Sequence, residues 1–549
     1  MKSDPLASPA EPSRSKLFWV GHLLIVSTLS AAYLLTLLPG VGYTGDTAKF
    51  QFVGKVLGTP HETGYPTYVV LNHLLVTLFP FGSIAYKANL LSAIASIAAC
   101  LFLFRILWRL RVHWWVGCLT AVTFGLTPTL WSQSVVAEVY TLNIFFVSLV
   151  LYFLVKWHQT QSDGAFYAAC AAYALSFGNH LTMITFLPTV LYMVWANRQG
   201  FVIDLRKVLW VCLIVLLGAL QYLYILWRTH SPDTPYLEMK AADLPSLWYS
   251  LTGGHFRTRL FPFSLQPFLT ERLPFFFRLL FREYHVLLLV IPIGLLVLKD
   301  RRLNIALLLG WFCSTTFALN YGIPDVFIYF LPGYLVLAIY AGCGLNSLIL
   351  QLRGRATYAG RAALILVPMA FWLLNFGRAD QHANTAAAKN VVTVLNTVRR
   401  DALIIIPSYD YAEFFYYYLL AGGKQRDSIY VLYDIARMIP YSSVRSYLAE
   451  GRPLVLPLQR ILAPKGLTVY FYNEEYEVGS PSTFYIGPTD PRPFGPEVQE
   501  RIELRKSVIT GVGLTLTPLA GNFYKVDASN SQTFSLSSPK DGSRRAQRQ

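Results

Sequence analysis

The stretch from Leu17 to Leu38, LFWVGHLLIVSTLSAAYLLTLL, contains no Asp, Glu, Lys or Arg. About twenty such residues wound as a helix cross the hydrocarbon core of a bilayer. Inside lipid every backbone polar group must find its partner within the structure, so a repeated block of this kind folds as a helix or not at all. Similar blocks recur along the chain. Of its 549 residues 54% are hydrophobic and only 14% charged, against about 25% charged in an average soluble domain. The sequence therefore reads as a polytopic α-helical membrane protein with about eleven spans. Their approximate limits are 17–38, 90–108, 115–130, 137–155, 165–177, 181–195, 208–227, 284–298, 303–319, 326–350 and 362–376. The first block exceeds the apolar core of a secretory signal, about 7–15 residues, and no small-x-small cleavage site follows it, so it reads as a retained helix.

The net charge of +16 does not point to nucleic acid, because Lys and Arg sit in short turns between apolar blocks, the pattern of cytoplasmic loops. These turns are Arg105/Arg109/Arg111, Lys156, Arg198/Arg206/Lys207, Lys299/Arg301/Arg302 and Arg353/Arg355/Arg361. They fall on one side only if the apolar run Thr67–Phe81 does not cross. That run, about fifteen residues between Pro66 and FPFG, has the length of an interfacial or re-entrant segment. The consistent solution places the N-terminus in the cytoplasm and the C-terminus outside. The six cysteines lie in or beside apolar blocks, so neither disulfides nor a cysteine-bound metal is expected.

The domain reading is a cytoplasmic tail at 1–16, a membrane domain at 17–376, a compact extracytoplasmic α/β domain at 377–527 and a disordered tail at 528–549. The membrane domain carries outer loops at 39–89 and 228–283. In the α/β domain ALIII, SIYVLYD, RPLVLPL and GLTVYFY read as short buried strands, with YDYAEFFYYYLL as a helix packed on them.

With this orientation the unusual polar residues collect on the outer face. Asp46, Lys49, His61, Glu62 and Tyr65 lie in the first outer loop, Glu138 in WSQSVVAEVYTLN, and Asn179 and His180 in SFGNHLTM. The large loop carries His255, Arg257 and Arg259 in TGGHFRTR, and Asp325 opens DVFIYFLP. Each has an ordinary structural reading. Asp46 and Asp325 suit helix N-caps, Glu138 a first-turn acid, and Asn179–His180 a helix break. Convergence on one face of an apolar protein lifts the set, because polar groups there line a wet cavity. A carboxylate in such a cavity can act as general base toward a hydroxyl. Arginines and histidines can hold a phosphate leaving group. P-loop, GxGxxG and HExxH signatures are absent, so nucleotide hydrolysis and zinc proteolysis have no support.

The order of GDTAKFQFVGKVLGTPHETGYPTY, KANLLSAIASI, WSQSVVAEVYTLN, GNHLTM, TGGHFR and DVFIYFLPGY resembles the GT-C glycosyltransferases. More narrowly it resembles a formerly uncharacterised membrane family grouped with transmembrane protein O-mannosyltransferases. The resemblance runs from about Gly42 to Tyr334. It implies a GT-C-like catalytic membrane domain with juxtamembrane helices in the first outer loop and a polyprenyl-phosphate sugar as donor. It also implies a hydroxyl acceptor on a protein, lipid or glycan, transfer outside the cytoplasm, and Asp46 as catalytic base. His255, Arg257, Arg259 and Lys49 become candidate phosphate ligands, and the remaining residues candidate cavity groups. Two departures stand out: Lys49 occupies a position where related sequences often carry an acid, and HETGYP replaces HPPGYP or HPTGYP, which makes Glu62 a possible substitute acid. No cofactor is called for, and a divalent metal stays open, since no paired-carboxylate motif supports one. The absence of disulfide cysteines and of a cleavable signal suits a bacterial inner membrane. A transporter or lipid flippase is the alternative function, and it would favour ionisable groups near the bilayer midplane.

Overall fold

The structure is a computed structural model, and it describes residues 11–42, 46–254, 256–397, 402–405, 409–422, 429–432, 468–472, 514–520 and 523–528, with isolated positions between 503 and 510. Two compact units divide the chain. The first is helical. Its opening helices are α1 (Glu11–Thr36), α2 (Thr47–Val56), α3 (Pro66–Leu78), α4 (Ile84–Arg109), α5 (Trp114–Gly125), α6 (Pro128–Ser134) and α7 (Tyr140–Thr160).

Each of the eleven expected spans has a helical counterpart among these and the later helices. Among the described residues, seven helices are long and apolar enough to cross a bilayer. The count is eight if Leu265–Leu289 and Ile291–Val297, bent by 58°, form one span. The shorter apolar segments have local causes. Pro128 starts a new helix after the turn that ends α5, and Leu187–Asn197 is preceded by a 3-10 turn at Leu181–Phe186.

Burial separates the core from the lipid-facing rim. Leu331 to Gly344 are buried without interruption, whereas helix Leu205–Leu220 buries none of its residues. From Val208 to Leu220 this helix carries no charged residue, and so long an apolar stretch with no buried face requires an apolar solvent around it. Polar links tie the helices of the bundle together. Tyr33 donates to the Gly125 carbonyl at 2.8 Å and lies 3.0 Å from Ser96 Oγ, joining α1, α4 and α5. Trp131 donates from Nε1 to Thr36 Oγ1 at 2.9 Å.

The segment between α1 and α4 folds into α2 and α3, the two short helices expected for the first outer loop. With 13 residues, α3 is about 20 Å long, too short to cross. Proline at its first turn and Phe79 in extended conformation at its end fix its limits. Asn72 of α3 donates to the Phe50 carbonyl at 2.7 Å. The two helices touch where α2 has no side chain: a Cβ at Gly54 would lie 2.4 Å from Asn72 Oδ1.

The second unit contains a five-stranded sheet of β1 (Ala402–Ile405), β2 (Ile429–Leu432), β3 (Thr468–Tyr472), β4 (Leu514–Ala520) and β5 (Phe523–Ala528) in the order β2-β1-β3-β5-β4. β1 pairs in parallel with β2 and β3, and β5 runs antiparallel to β3 and β4. The first three strands are the ALIII, SIYVL and LTVYFY runs, while RPLVLPL and the 529–549 tail lie outside the described residues. The YDYAEFFYYYLL helix departs from expectation. From Glu413 onward it belongs to the helical unit, where Tyr417 accepts from the Ala85 amide at 3.1 Å. Phe414, Phe415 and Tyr417 are buried, and the turn Tyr417–Ala421 packs on α2.

Substituting Gly54 by Ala should destabilise the α2–α3 pair by about 1–3 kcal/mol, the usual cost of forcing atoms into a filled contact. A fall in apparent melting temperature of the purified protein measures it.

Candidate functional site

The site begins one residue before α2. Asp46 holds the N-cap position, yet its side chain makes no capping bond. It reaches instead to Lys49, one turn along, with Oδ1 2.8 Å from Nζ. The Lys49 side chain is fully buried, and its ammonium also contacts Glu238 Oε2 at 2.9 Å and His61 Nδ1 at 2.8 Å. An ammonium has three hydrogens, and these are three acceptors. Burial by itself would lower the Lys49 ammonium, but the carboxylates of Asp46 and then Glu238 lead the charges that outweigh it and raise it. Glu238 shows the reciprocal effect: burial pushes its carboxyl up, and the Lys49 charge brings it below the ordinary range.

His61 is placed by the turn that precedes α3. Gly64 has φ +79°, and a Cβ there would lie 2.4 Å from Ile225 Cδ1, so the HETGYP turn needs glycine at that point for both conformation and space. Burial lowers the His61 imidazole despite the nearby Asp46 charge. Since Nδ1 accepts from the Lys49 ammonium, the ring proton sits on Nε2. That atom lies 2.9 Å from Tyr65 Oη and 3.7 Å from Asp46 Oδ2. Tyr65 in turn donates to the Glu62 carbonyl at 3.3 Å.

A second acidic pair adjoins the first. Thr47 donates to Glu138 Oε1 at 3.3 Å, and Tyr140, at the start of α7, donates to Asp325 Oδ2 at 3.3 Å. Like Asp46, Asp325 stands at an N-cap without making the capping bond. Burial, then the Asp46 charge, pushes the Asp325 carboxyl up to about 6. The same two causes, in the same order, raise Glu138. His180 sits between these groups, its ring centroid 5.9 Å from Tyr65, 5.6 Å from Tyr140 and 5.5 Å from Tyr329.

Among the expected residues, Asp46, Lys49, His61, Tyr65, Glu138, His180 and Asp325 thus gather at one end of the helical unit. Glu62 contributes its carbonyl. Asn179 is fully buried and donates to the Val139 carbonyl at 3.1 Å, holding the turn against the start of α7. Arg259 is exposed, but its charge reaches Asp325 and Tyr321. Its carbonyl accepts from the Gly322 amide at 2.8 Å. Arg257 is exposed and turned to Thr252 Oγ1 at 2.6 Å, and His255 lies outside the described residues.

Three participants carry no signal in the sequence: Glu238, Tyr236 and Glu413. Tyr236 Oη lies 3.1 Å from Glu238 Oε2 and 3.0 Å from Glu413 Oε1. One hydroxyl has one proton for two carboxyl oxygens. Burial raises Glu413 to about 8, well above the usual carboxylate range, so this carboxyl is inclined to keep its proton and ease the competition. The PYLE stretch reads as loop, and Glu413 is distant in sequence; only proximity in the fold connects them. Among the described residues, no three His, Cys, Asp or Glu side chains form a metal-ligand group. The cation between the Asp46 and Glu238 carboxylates is the Lys49 ammonium.

The basic turns occupy the opposite end of the same helices. α7 runs from Tyr140 to Thr160 over 21 residues, about 30 Å. At its far end Arg109 donates to Gln159 Oε1 at 3.1 Å, and His158 lies 2.8 Å from Asp300.

Residues 46–201 match the family described as the Protein O-mannosyl-transferase TMEM260 N-terminal domain. A mouse protein named Protein O-mannosyl-transferase TMEM260 is 31% identical over 216 residues, 37% of this chain and 30% of its own length. The Dictyostelium discoideum protein of the same name is 26% identical over 138 residues, 25% of this chain and 17% of its own length. The chain therefore spans less than a third of either relative. Among solved structures, ArnT from Cupriavidus metallidurans bound to undecaprenyl phosphate aligns with a TM-score of 0.54 at 11% identity, covering 94% of this chain and 98% of ArnT. Its apo form aligns with a TM-score of 0.57 at 12% identity, covering 92% and 97%. The expected GT-C-like membrane fold is thereby shown.

Replacing Lys49 by Met should cost about 3–5 kcal/mol, because it strands buried carboxylates without their cation; denaturant unfolding of the purified protein measures it. Asp325 gives a pH signature. Its folded value, about 6, exceeds the ordinary 3.8, so between these values the folded state binds more protons than the unfolded one. Its contribution to stability is therefore present at low pH and lost as pH rises through about 6. Asp325→Asn should flatten the decline in apparent melting temperature over that window.

Proposed function

We propose that this chain, an integral membrane protein with the GT-C fold, transfers a mannosyl residue from a polyprenyl-phosphate carrier to a hydroxyl on an extracytoplasmic acceptor. The observation that carries the reading is the Asp46 carboxylate. A fully buried lysine fixes it at 2.8 Å, while the Asp46 side chain itself remains 29% exposed. A base must be immobile and reachable at once, and this arrangement supplies both.

In the proposed reaction the acceptor oxygen attacks the anomeric carbon. Asp46 takes the hydroxyl proton, and the bond from the anomeric carbon to the phosphate oxygen breaks with its electron pair leaving on the phosphate. The result is a single displacement with inversion. Lys49 serves as a positioning residue, since its three hydrogens are engaged with Asp46, Glu238 and His61. Arg259, exposed beside Asp325 and Tyr321, is the cation placed to meet the phosphate.

The names of the mouse and slime-mould relatives support mannose and a protein acceptor, and the ArnT complex supports a polyprenyl phosphate in this fold. The basic turns at the opposite end of α7 support an outward-facing site. A polyprenol in a bacterial inner membrane and a dolichol in a eukaryotic membrane present the same phosphate, and the chemistry holds for either.

The test is transfer from labelled polyprenyl-phosphate mannose to an extracted protein fraction. Asp46→Asn should lower the rate by about 10²–10⁴-fold, the usual weight of a general base. Unchanged transfer by that variant would remove Asp46 from the reaction.

A further inference from the structure

Beside the acidic groups lies a small recess with room for a water-sized group, lined by Tyr140, Asn143, His180, Thr182, Tyr329 and Pro332, among others. Whole-ligand pockets are far larger, so this one can take a single small polar group of a ligand. Its polar atoms can be assigned. Asn143 donates from Nδ2 to Thr182 Oγ1 at 3.3 Å. Thr182 Oγ1 lies 2.9 Å from His180 Nδ1, and the Thr182 amide points at the same nitrogen at 3.3 Å. Nδ1 is therefore the acceptor, and the imidazole proton sits on Nε2. Burial, with His61 nearby, pushes His180 down to about 3, so the ring is neutral at physiological pH.

Two complementary atoms are left over. His180 Nε2, a donor, and Asn143 Oδ1, an acceptor, are buried without a hydrogen-bond partner. The residues are 6% and 4% exposed. Orphaned buried polar atoms each cost about 1–3 kcal/mol, so a donor and an acceptor left over on residues that line one recess call for a polar group to meet them. A phosphate is a poor occupant, because neither leftover group carries charge. A lipid chain satisfies neither. One group that accepts from an N–H and donates to a carbonyl is a hydroxyl.

We propose that this recess is a subsite for one hydroxyl of the donor sugar, which accepts from His180 Nε2–H and donates to Asn143 Oδ1. The proposal rests on the donor reading above. It assigns the hydroxyl to the donor because the acceptor hydroxyl must meet Asp46, and the Tyr65 ring lies next to both the His61–Asp46 pair and His180.

The experiment measures retention of labelled polyprenyl-phosphate mannose, and of its 2-, 3-, 4- and 6-deoxy analogues, by the full chain in nanodiscs. Asp46→Asn is used as background to stop turnover. One analogue should bind about ten- to a hundredfold more weakly than the parent, as expected for a site whose paired groups are left unmet. Asn143→Leu should reduce that discrimination to less than about threefold, and His180→Gln, which restores a donor, should retain more of it than His180→Phe. The analogue series on the unsubstituted recess decides the matter even if those variants do not fold. Equal binding of all four analogues would mean that the recess holds only water, and would overturn the subsite while leaving the donor reading intact. Failure of the parent lipid to bind would overturn both.

Discussion

A single buried ammonium organises the site. Lys49 is enclosed completely, and isolated burial of such a charge is prohibitive. It is tolerable because each of its three hydrogens meets an acceptor drawn from a different place: Asp46 one turn before it, His61 before α3, and Glu238 far along the chain. Removing any one of these acceptors leaves the charge undercompensated. The lysine thus couples the position of Asp46 to the folding of both short helices and of a loop nearly two hundred residues away. Tyr236 and Glu413 extend the same network to the helix that follows β1 in the chain.

The acidic face is consequently graded. Asp46 and Glu238 share the lysine, whereas Glu138 and Asp325 have hydroxyl partners and, among the described residues, no ion pair with a cation. Burial and the Asp46 charge push both upward. Two carboxylate populations lie side by side, one held by a cation and one inclined to keep its protons. The aromatic layer of Tyr65, His180, Tyr140 and Tyr329 borders both and leads to the His180–Asn143 recess.

Much of this was legible in the sequence where residues are close together. Asp46, Lys49, His61 and Tyr65 fall within one short loop, and the lengths of α2 and α3 follow from Pro66 and the turn glycines. The membrane fold follows from apolar blocks whose meaning is set by the solvent. The N-cap reading of Asp46 and Asp325 located the residues correctly but not their partners, since a capping bond and an ion pair begin from the same position. Glu238, Tyr236 and Glu413 were not legible, because a loop acid and a helix acid show nothing of their pairing until the chain folds. The aromatic stretch YDYAEFFYYYLL reads as a buried helix that packs on strands. From Glu413 onward it belongs to the helical unit, a choice that apolar periodicity cannot distinguish.

The central claim is a single displacement in which Asp46 accepts a proton and never bonds to the sugar. The most direct measurement is the anomeric configuration of the product, by NMR of the glycosylated acceptor made from a polyprenyl-phosphate mannose of defined configuration. The account predicts inversion at the anomeric carbon. Retention, or a glycosyl group trapped on Asp46, would contradict it.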